Sequence, residues 1–145
     1  MDIHLRPMQI SDYPKVVSLF KDIEGMTFRE ADSLEATQRY LERNPDLSFV
    51  AIEDTQIVGF IMAGHDGRRG YLQHLFVLPA YRGRGIAQDL VTSSLDALSA
   101  IGIYKSHLFA LRDNTLANDF WGSQACEYRD EVCMYSFNTS DDPNI

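Results

Sequence analysis

Apolar residues that recur at helical spacing predict four helices. Two of them lie before any long strand: residues 16–23 carry apolar side chains at a 3.6-residue period, and a more charged helix follows over 33–43. The first of these helices is predicted to end at Gly25. A third helix is predicted over 86–101 and a short fourth helix over 114–123.

Runs of β-branched and aromatic residues between these helices predict the strands. A tight connection at Asp54-Thr55 makes the two strands on either side of it a hairpin. The predicted strands cover 3–5, 47–53, 56–63, 71–78, 104–111 and 132–137. Because strands and helices are interleaved without a repeat or a low-complexity linker, the fold class is predicted to be mixed α/β (α+β).

Length and composition favour one globular domain. With 145 residues, of which 45% are apolar, the chain has enough material for a sizeable core, and a chain of this size buries about two-thirds of its unfolded surface. We therefore predict a single domain over 1–138, followed by a short polar tail at 139–145.

The charge balance limits the partners of this chain. The sequence has 21 acidic and 13 basic side chains, and its formal net charge is −8. Such a field repels polyanions, so nucleic acid is not an expected partner, whereas a cationic substrate is favoured by electrostatic steering.

Cysteines and histidines give no sign of a disulfide scaffold or a metal site. Cys126 and Cys133 are the only cysteines, and the four histidines are scattered without a carboxylate at helical spacing, so no metal is expected. The N-terminal residues lack a basic start followed by an apolar run, and no stretch approaches the ~20 apolar residues of a membrane span. We therefore expect a cytoplasmic protein without a membrane partner.

Residues 75–87 form the most informative segment, because a predicted strand passes through a glycine-rich loop directly into a helix. The first turn of a helix has backbone N–H groups without intrahelical acceptors, and the helix dipole is positive there. Gly83 and Gly85 let a phosphate approach this backbone closely. Residues 67–88 also contain four arginines and no acidic residue, which favours capture of a polyphosphate ligand.

Two other phosphate-binding motifs fit this segment poorly. A dinucleotide-binding fingerprint requires glycine where Gln88 stands, and it requires an acidic ribose partner that the predicted strand 104–111 does not offer. A P-loop requires Gly-Lys followed by Ser or Thr, and Gly85-Ile86-Ala87 does not supply it.

The loop resembles the acetyl-CoA signature of the GNAT superfamily of N-acetyltransferases. The resemblance lies in Arg82-x-x-Gly85-x-Ala87, which follows a strand that ends at Val77-x-Pro79. This likeness implies a GNAT fold, in which a central, mostly antiparallel mixed sheet of six to seven strands is flanked by about four helices. It also implies acetyl-CoA as the co-substrate.

The flanking elements are similar to the family's order over nearly the whole chain. Two helices precede the sheet, and Asn114-x-x-Ala117-x-x-Phe120-Trp121 follows the next strand, as in GNAT enzymes. The loop alone is moderately specific for the family, and the ordered flanks make the combined pattern strong.

The resemblance implies which residues bind acetyl-CoA. The backbone of the strand end pairs with the pantetheine amides like an added strand, and the loop holds the pyrophosphate. Asn114 either contacts the cofactor arm or serves only as a helix N-cap, and Trp121 is a packing or cofactor-wall residue. The implied acetyl-CoA-binding residues are Leu75, Phe76, Val77, Arg82, Gly83, Arg84, Gly85, Ile86, Ala87, Asn114 and Trp121.

The general base is harder to assign. Some relatives carry a glutamate in the strand before Asn114, at the position of Phe109, so the remaining candidates are His74 and His107. We prefer His74 as the catalytic base, although strand alternation would equally place it among interior side chains on the face of Leu72 and Phe76.

The general acid is also unassigned. Many family members protonate the departing thiolate with a tyrosine where this chain has Trp121, and an indole N–H cannot serve as that acid. Cys126 and Tyr128 are substitute candidates, because each follows the short helix and carries a titratable proton.

The expected function is transfer of the acetyl group from acetyl-CoA to a primary amine, by direct attack in a ternary complex. The amine acceptor is a small molecule or a peptide or protein amine. The alternative is a catalytically weak acyl-CoA sensor or partner-binding module that keeps the GNAT fold. The sequence also leaves open whether the protein is a monomer or a homodimer, since an exposed edge strand permits pairing of two copies.

Overall fold

The structure is a computed structural model that describes residues 2–21 and 27–145. The end of the first helix near Gly25, predicted from the sequence, lies outside the described residues. The chain divides into two compact units, 1–108 and 109–145. The single domain over 1–138 therefore stays a prediction. None of the described helices combines the length and apolarity that crossing a membrane requires.

Regular structure in the described residues consists of five strands and four α-helices. The strands are β1 (Ile3–Pro7), β2 (Phe49–Glu53), β3 (Gln56–His65), β4 (Gly70–Val77) and β5 (Ser106–Leu108). The helices are α1 (Tyr13–Lys21), α2 (Leu34–Arg43), α3 (Ile86–Ala100) and α4 (Thr115–Gly122). Short 3-10 turns lie at 10–12, 30–32 and 79–81.

The five strands form one sheet in the order β1-β2-β3-β4-β5. The first four strands pair antiparallel, and β5 pairs parallel to β4. Helix α3 connects β4 to β5, as a parallel pair requires. The sheet is therefore mixed and mostly antiparallel, as the sequence predicted.

The predicted strand count was too high, because six to seven strands were expected and the described residues contain five. Residues 132–137 have strand-forming side chains but no strand partner, and Val132, Met134 and Phe137 are exposed. β5 is also shorter than the predicted strand over 104–111. A strand needs a neighbour to satisfy its backbone groups, and local propensity does not reveal whether a neighbour is present.

Local polar contacts determine where α1 and α2 begin. A 3-10 turn at 10–12 directly precedes α1. The Asp12 carboxylate accepts hydrogen bonds from the Arg6 guanidinium at 2.8 Å and from the Gln9 backbone N–H at 2.8 Å. At α2 the expected start is confirmed, because the Ser33 hydroxyl caps the helix by accepting from the Ala36 N–H.

The sheet of the first unit has a core on each face. On one face, Phe60 packs with Val16 and Phe20 of α1. On the other face, α3 contacts β2, β3 and β4 and buries Leu90 and Leu98 completely. Side chains of β3 alternate between the two cores, so Gly59 faces α3 while its neighbour Phe60 faces α1.

Gly59 lies where β3 approaches β4 too closely for a side chain. A Cβ at this position would stand 2.9 Å from the Phe76 carbonyl oxygen and 3.3 Å from Val77 Cγ2. We expect Gly59→Ala to lower the free energy of unfolding by about 2 kcal/mol, since a backbone oxygen cannot move aside as a flexible side chain can. Urea denaturation measures this loss.

Gly122→Ala provides the matched control for this substitution. Gly122 is helical, and a Cβ there would meet nothing within 4 Å. Alanine at this site should leave stability unchanged or raise it by up to about 1 kcal/mol. Equal stability changes in the two variants would show that close backbone approach is not what requires Gly59.

Candidate functional site

The glycine-rich loop joins β4 to α3 and places backbone N–H groups without helical acceptors at the start of the helix. Gly83 and Gly85 have φ values of +79° and +82°, in the left-handed region that a side chain disfavours. Gly85 is the N-cap of α3, and no side chain caps the helix there. The first backbone bond of the helix runs from the Asp89 N–H to the Gly85 carbonyl at 3.0 Å, so the N–H groups of Ile86 and Ala87 have no helical acceptor.

The space over this loop is open. A Cβ built at Gly83 or Gly85 would meet no atom within 4 Å. Free N–H groups, a positive helix terminus and open space together suit a phosphate or another anion. The loop therefore fits the pyrophosphate of an acyl-CoA.

The end of β4 offers an unpaired strand edge next to the loop. β5 pairs with β4 only at 70–72, so within the described part of the first unit the edge over 73–77 has no strand neighbour. On the other side, the Leu78 N–H donates to the Val58 carbonyl at 2.8 Å. Main-chain groups alternate in direction, so those of Leu75 and Val77 face away from β3, toward the unpaired edge.

Arg82 and Arg84 border the loop in different ways. The Arg82 Nε donates to the Val77 carbonyl at 3.0 Å, and its guanidinium lies 5.8 Å from the centre of the Phe76 ring. The Arg84 guanidinium lies 5.2 Å from the centre of the Tyr81 ring. Both arginine side chains belong to exposed residues, so positive charge borders the exposed N–H groups.

The four arginines of 67–88 do not form one patch. Arg68 and Arg69 belong to the turn between β3 and β4, whereas Arg82 and Arg84 follow the other end of β4. A strand of this length separates its ends by roughly 25 Å. Only Arg82 and Arg84 can therefore contact a phosphate held by the loop.

A β-bulge positions His74. The β3–β4 register pairs Phe60 with Phe76 but Met62 with Gln73, so β4 has one extra residue between these pairs. His74 has φ +51°, a backbone conformation that costs a non-glycine residue about 1 kcal/mol. The extra residue breaks strand alternation: Leu72 lies on the α3 side with Gly70, whereas His74 and Phe76 both lie on the α1 side. The predicted common face is therefore wrong for Leu72 and holds for His74 and Phe76.

The His74 ring lies against α1 and the segment before α2. It meets the Phe20 ring edge-on, with ring centres 4.5 Å apart, and His74 Nε2 lies 3.5 Å from Asp32 Oδ1. The other carboxylate oxygen of Asp32 accepts from the Arg29 N–H at 2.9 Å. The backbone carbonyl of Asp32 accepts from the Tyr13 hydroxyl at 2.7 Å. Asp32 is thus held in place beside the imidazole.

Sequence reasoning missed Asp32 as a site residue. No carboxylate was expected near the candidate base, because the predicted strands that carry His74 and His107 contain none. Asp32 also borders a cavity of about 20 Å³ together with Phe20 and Met62, which is room for about one water molecule. In the sequence, Asp32 and Ser33 directly precede a helix, which is typical of helix capping. The sequence therefore gave no signal that Asp32 contacts β4.

Burial lowers the pKa of His74 below its ordinary value of 6.5, and the Asp32 carboxylate offsets this effect only in part. The unfolded chain therefore takes up this proton at a higher pH than the folded protein does. We expect the free energy of unfolding to fall as the pH drops below 6.5 and through the folded-state pKa. His74→Gln should remove this part of the pH dependence.

Urea denaturation at several pH values measures the effect. The matched control is His4→Gln, since His4 is an exposed residue of β1, and it separates the effect of His74 from that of removing any histidine. An unchanged slope in His74→Gln would contradict the lowered pKa of His74.

The other candidate base, His107, lies on β5 opposite Tyr71, with ring centres 6.0 Å apart. It is half-buried, and no described carboxylate forms an ion pair with it. The structure thus brings a carboxylate to His74 and not to His107.

The second unit contains the remaining predicted site residues. Asn114 is the N-cap of α4, and its side-chain oxygen accepts from the Ala117 N–H at 3.1 Å, so the capping role is present. The Trp121 ring is half-buried and meets Phe120 edge-on. The Cys126 thiol donates to the Trp121 carbonyl at 3.2 Å, and Tyr128 is exposed. Within residues 2–21 and 27–145, no group of three or more His, Cys, Asp or Glu side chains could hold a metal ion.

Residues 13–125 match the acetyltransferase (GNAT) family. The chain belongs to this family. It is 31% identical to an acetyltransferase of Sodalis glossinidius over 132 residues, which cover 91% of this chain and 92% of the relative. It is 34% identical to an acetyltransferase of Pectobacterium atrosepticum over 112 residues, covering 77% and 79% of the two chains. The protein is therefore an acyl-CoA N-acetyltransferase, as the loop motif predicted.

Solved GNAT structures share this fold. The structure of AAC(6')-Iy with the bisubstrate analogue CoA-S-monomethyl-acetylneamine superposes with a TM-score of 0.77 at 21% identity, and covers 95% of this chain and 99% of that one. A PaiA N-acetyltransferase of Thermoplasma acidophilum in complex with coenzyme A gives a TM-score of 0.75 at 21% identity, over 84% and 87%. These similarities confirm the predicted GNAT fold.

Proposed function

We propose that this GNAT enzyme transfers the acetyl group of acetyl-CoA to a primary amine by direct attack within a ternary complex. The observation that carries this proposal is the continuous path from the unpaired edge of β4 through the glycine loop to the start of α3. Along this path, strand-type main-chain groups are followed by helix-terminal N–H groups. An extended chain of amides that ends in a pyrophosphate matches that order of groups.

The proposed acetyl-CoA contacts follow from this order. The backbone of 75–77 pairs with the pantetheine amides, and residues 82–87 hold the pyrophosphate. Arg84 adds a charge-assisted contact to the pyrophosphate. The Nε of Arg82 donates to the Val77 carbonyl. For Asn114 and Trp121, the proposed contact with acetyl-CoA rests on family resemblance alone.

The proposed reaction needs one base and no covalent enzyme intermediate. The thioester supplies an activated acetyl group. The amine nitrogen forms a bond to the acetyl carbon, the carbon–sulfur bond breaks, and CoA leaves as the thiolate. His74 takes the proton that the amine loses, directly or through one water molecule, because burial keeps its imidazole neutral near pH 7.

Protonation of the thiolate is assigned to water. Trp121 stands at the position where many GNAT enzymes carry a tyrosine, and its indole N–H is too weak an acid for this step. Positioning of the amine and the thioester supplies most of the acceleration in such a mechanism.

Two measurements test this proposal. Release of CoA in the presence of a panel of amines should exceed the rate without amine, and each amine should appear as its acetamide. Mass spectrometry of acid-quenched enzyme after exposure to acetyl-CoA should show no acetyl adduct. An adduct that is stoichiometric and required for turnover would contradict direct attack. Acetyl-CoA binding without turnover of any amine would instead favour an acyl-CoA sensor.

A further inference from the structure

A second cleft, of about 260 Å³, opens on the α2 side of the sheet. Its walls come from the end of α2, the end of β3 with the following turn, and the middle of β4. The residues that matter for its chemistry are Tyr40, Arg43, Asn44, His65, Asp66 and Gln73. We refer to this space as the α2 cleft. Its volume suits a small polar group rather than a whole cofactor.

The α2 cleft adjoins the region of His74. Gln73 lines the cleft and directly precedes His74 in the chain. Its partner on β3 is Met62, which lines the small cavity beside Asp32. Thr37 borders that cavity and Tyr40 borders the cleft, three residues apart on α2 and hence on the same helix face. A substrate with its amine near His74 can therefore extend into the cleft.

Three hydrogen-bond acceptors in the α2 cleft are already engaged. The Asn44 side-chain oxygen accepts from the His65 N–H at 3.1 Å. One Asp66 oxygen accepts from the N–H groups of Arg68 and Arg69, each at 2.8 Å. His65 Nδ1 accepts from the Gly67 N–H at 2.9 Å. These groups hold the turn together.

The Asn44 side-chain nitrogen donates to the Tyr40 carbonyl at 3.1 Å, but other donors of the cleft are unused within the described chain. The Tyr40 hydroxyl is buried and has no partner among the described residues. Burial raises the pKa of Tyr40, so the hydroxyl keeps its proton. Within the described chain, Arg43 forms no ion pair and the Gln73 side-chain amide forms no hydrogen bond. A buried donor without a partner is costly, and a ligand oxygen would satisfy it.

The Tyr40 hydroxyl lies against a glycine on β3. A Cβ on Gly64 would stand 2.8 Å from both the Tyr40 oxygen and the Asn44 side-chain nitrogen. The hydroxyl thus occupies the space that a side chain at position 64 would fill.

We propose that the α2 cleft binds a carboxylate of the acceptor, so that the substrate is an amino acid or a closely related amine with a carboxylate. This inference rests on the proposed amine transfer. The Arg43 guanidinium supplies the positive charge, and the Tyr40 hydroxyl and the Gln73 amide supply hydrogen bonds. A purely cationic polyamine would leave these donors without a partner, and the positive charge of Arg43 would repel it.

Matched pairs of acceptors test this specificity. Each amino acid is compared with the amine that lacks its carboxylate: lysine with cadaverine, ornithine with putrescine, phenylalanine with phenethylamine, and tryptophan with tryptamine. Acetyl transfer is followed as CoA release. We expect kcat/KM for the favoured amino acid to exceed that of its partner by at least about 10-fold, as one charge-assisted contact predicts.

Three variants assign the effect to residues. Arg43→Gln should raise KM about 10-fold for the amino acid only and remove the preference within the pair. Arg39→Gln is the matched control, because Arg39 is an exposed arginine of the same helix that does not line the cleft. Tyr40→Phe should raise KM without lowering Tm, because the hydroxyl that it removes has no protein partner.

The outcomes separate this proposal from the proposed function. Equal or better turnover of the amines without a carboxylate would overturn the carboxylate site, as would equal effects of Arg43→Gln and Arg39→Gln. If no amine is acetylated, amine transfer is contradicted. Calorimetric titration of the CoA-bound protein with N-acetyl-lysine and N-acetyl-phenylalanine then tests whether the α2 cleft binds a carboxylate. Binding that Arg43→Gln abolishes supports the cleft, and absence of binding overturns it.

Discussion

Arg84→Glu is expected to weaken acetyl-CoA binding by about 100-fold, which corresponds to about 2.8 kcal/mol. The substitution removes a positive charge beside the proposed pyrophosphate site and places a negative charge there. Arg84 is exposed, so the free energy of unfolding should change by less than about 1 kcal/mol. Isothermal titration calorimetry with acetyl-CoA measures the affinity, and urea denaturation measures the stability.

Arg68→Glu controls for the overall field. It changes the net charge by the same amount, from −8 to −10, but lies in the turn at the other end of β4. We expect its affinity to remain within about threefold of the wild type, because exposed charges beyond a Debye length are screened. Equal losses in both variants would indicate general repulsion. Full affinity in Arg84→Glu would contradict the role of the loop.

His74→Gln is expected to lower kcat by about 100-fold while the affinity for acetyl-CoA stays unchanged, as loss of a general base predicts. In the wild type, kcat/KM should fall as the pH drops through the lowered pKa of His74, because the imidazolium cannot accept a proton. The variant should lack this inflection. Steady-state rates across a pH series, with acetyl-CoA affinity measured in parallel, provide the test.

Asp32→Asn tests the role of His74 through the neighbouring carboxylate. The Asp32 carboxylate favours the imidazolium form of His74, so its removal should lower the pKa of His74 further. The acid limb of kcat/KM should therefore move to lower pH. An unchanged acid limb in both Asp32→Asn and His74→Gln would exclude His74 as the group that titrates.

The glycine loop could be predicted from the sequence because its signal is local. Gly83 and Gly85 have the left-handed backbone that their identity permits, and α3 begins directly after them at Ile86. The hairpin at Asp54-Thr55 and the cap at Ser33 are local in the same way. Such features depend on a few neighbouring residues, which propensities describe well.

The surroundings of His74 could not be predicted, because they depend on register and on contacts distant in sequence. A single extra residue in β4 changes which face His74 takes, and strand patterns do not reveal a bulge. Asp32 contacts His74 but lies 42 residues before it in the chain. The unused Tyr40 hydroxyl likewise becomes visible only when β3 and α2 are packed together.

The strand predicted at 132–137 is absent from the structure, although its residues favour a strand. Its apolar and aromatic side chains have strand propensity, yet the described structure gives these residues no pairing partner. Propensity describes a fit to a half-buried sheet surface, and it has no predictive value where that surface is absent.

Backbone amide spectra recorded during a CoA titration test whether the edge of β4 and the glycine loop bind CoA. We expect saturable binding, with the largest shift changes at the amides of Gly83, Gly85, Ile86 and Ala87 and at those of Leu75 and Val77. The amides of Gly67 and Gly102, which have similar positive φ values but lie in other turns, should change little. Saturable binding with its largest changes elsewhere, or no binding to the folded protein, would contradict this binding site.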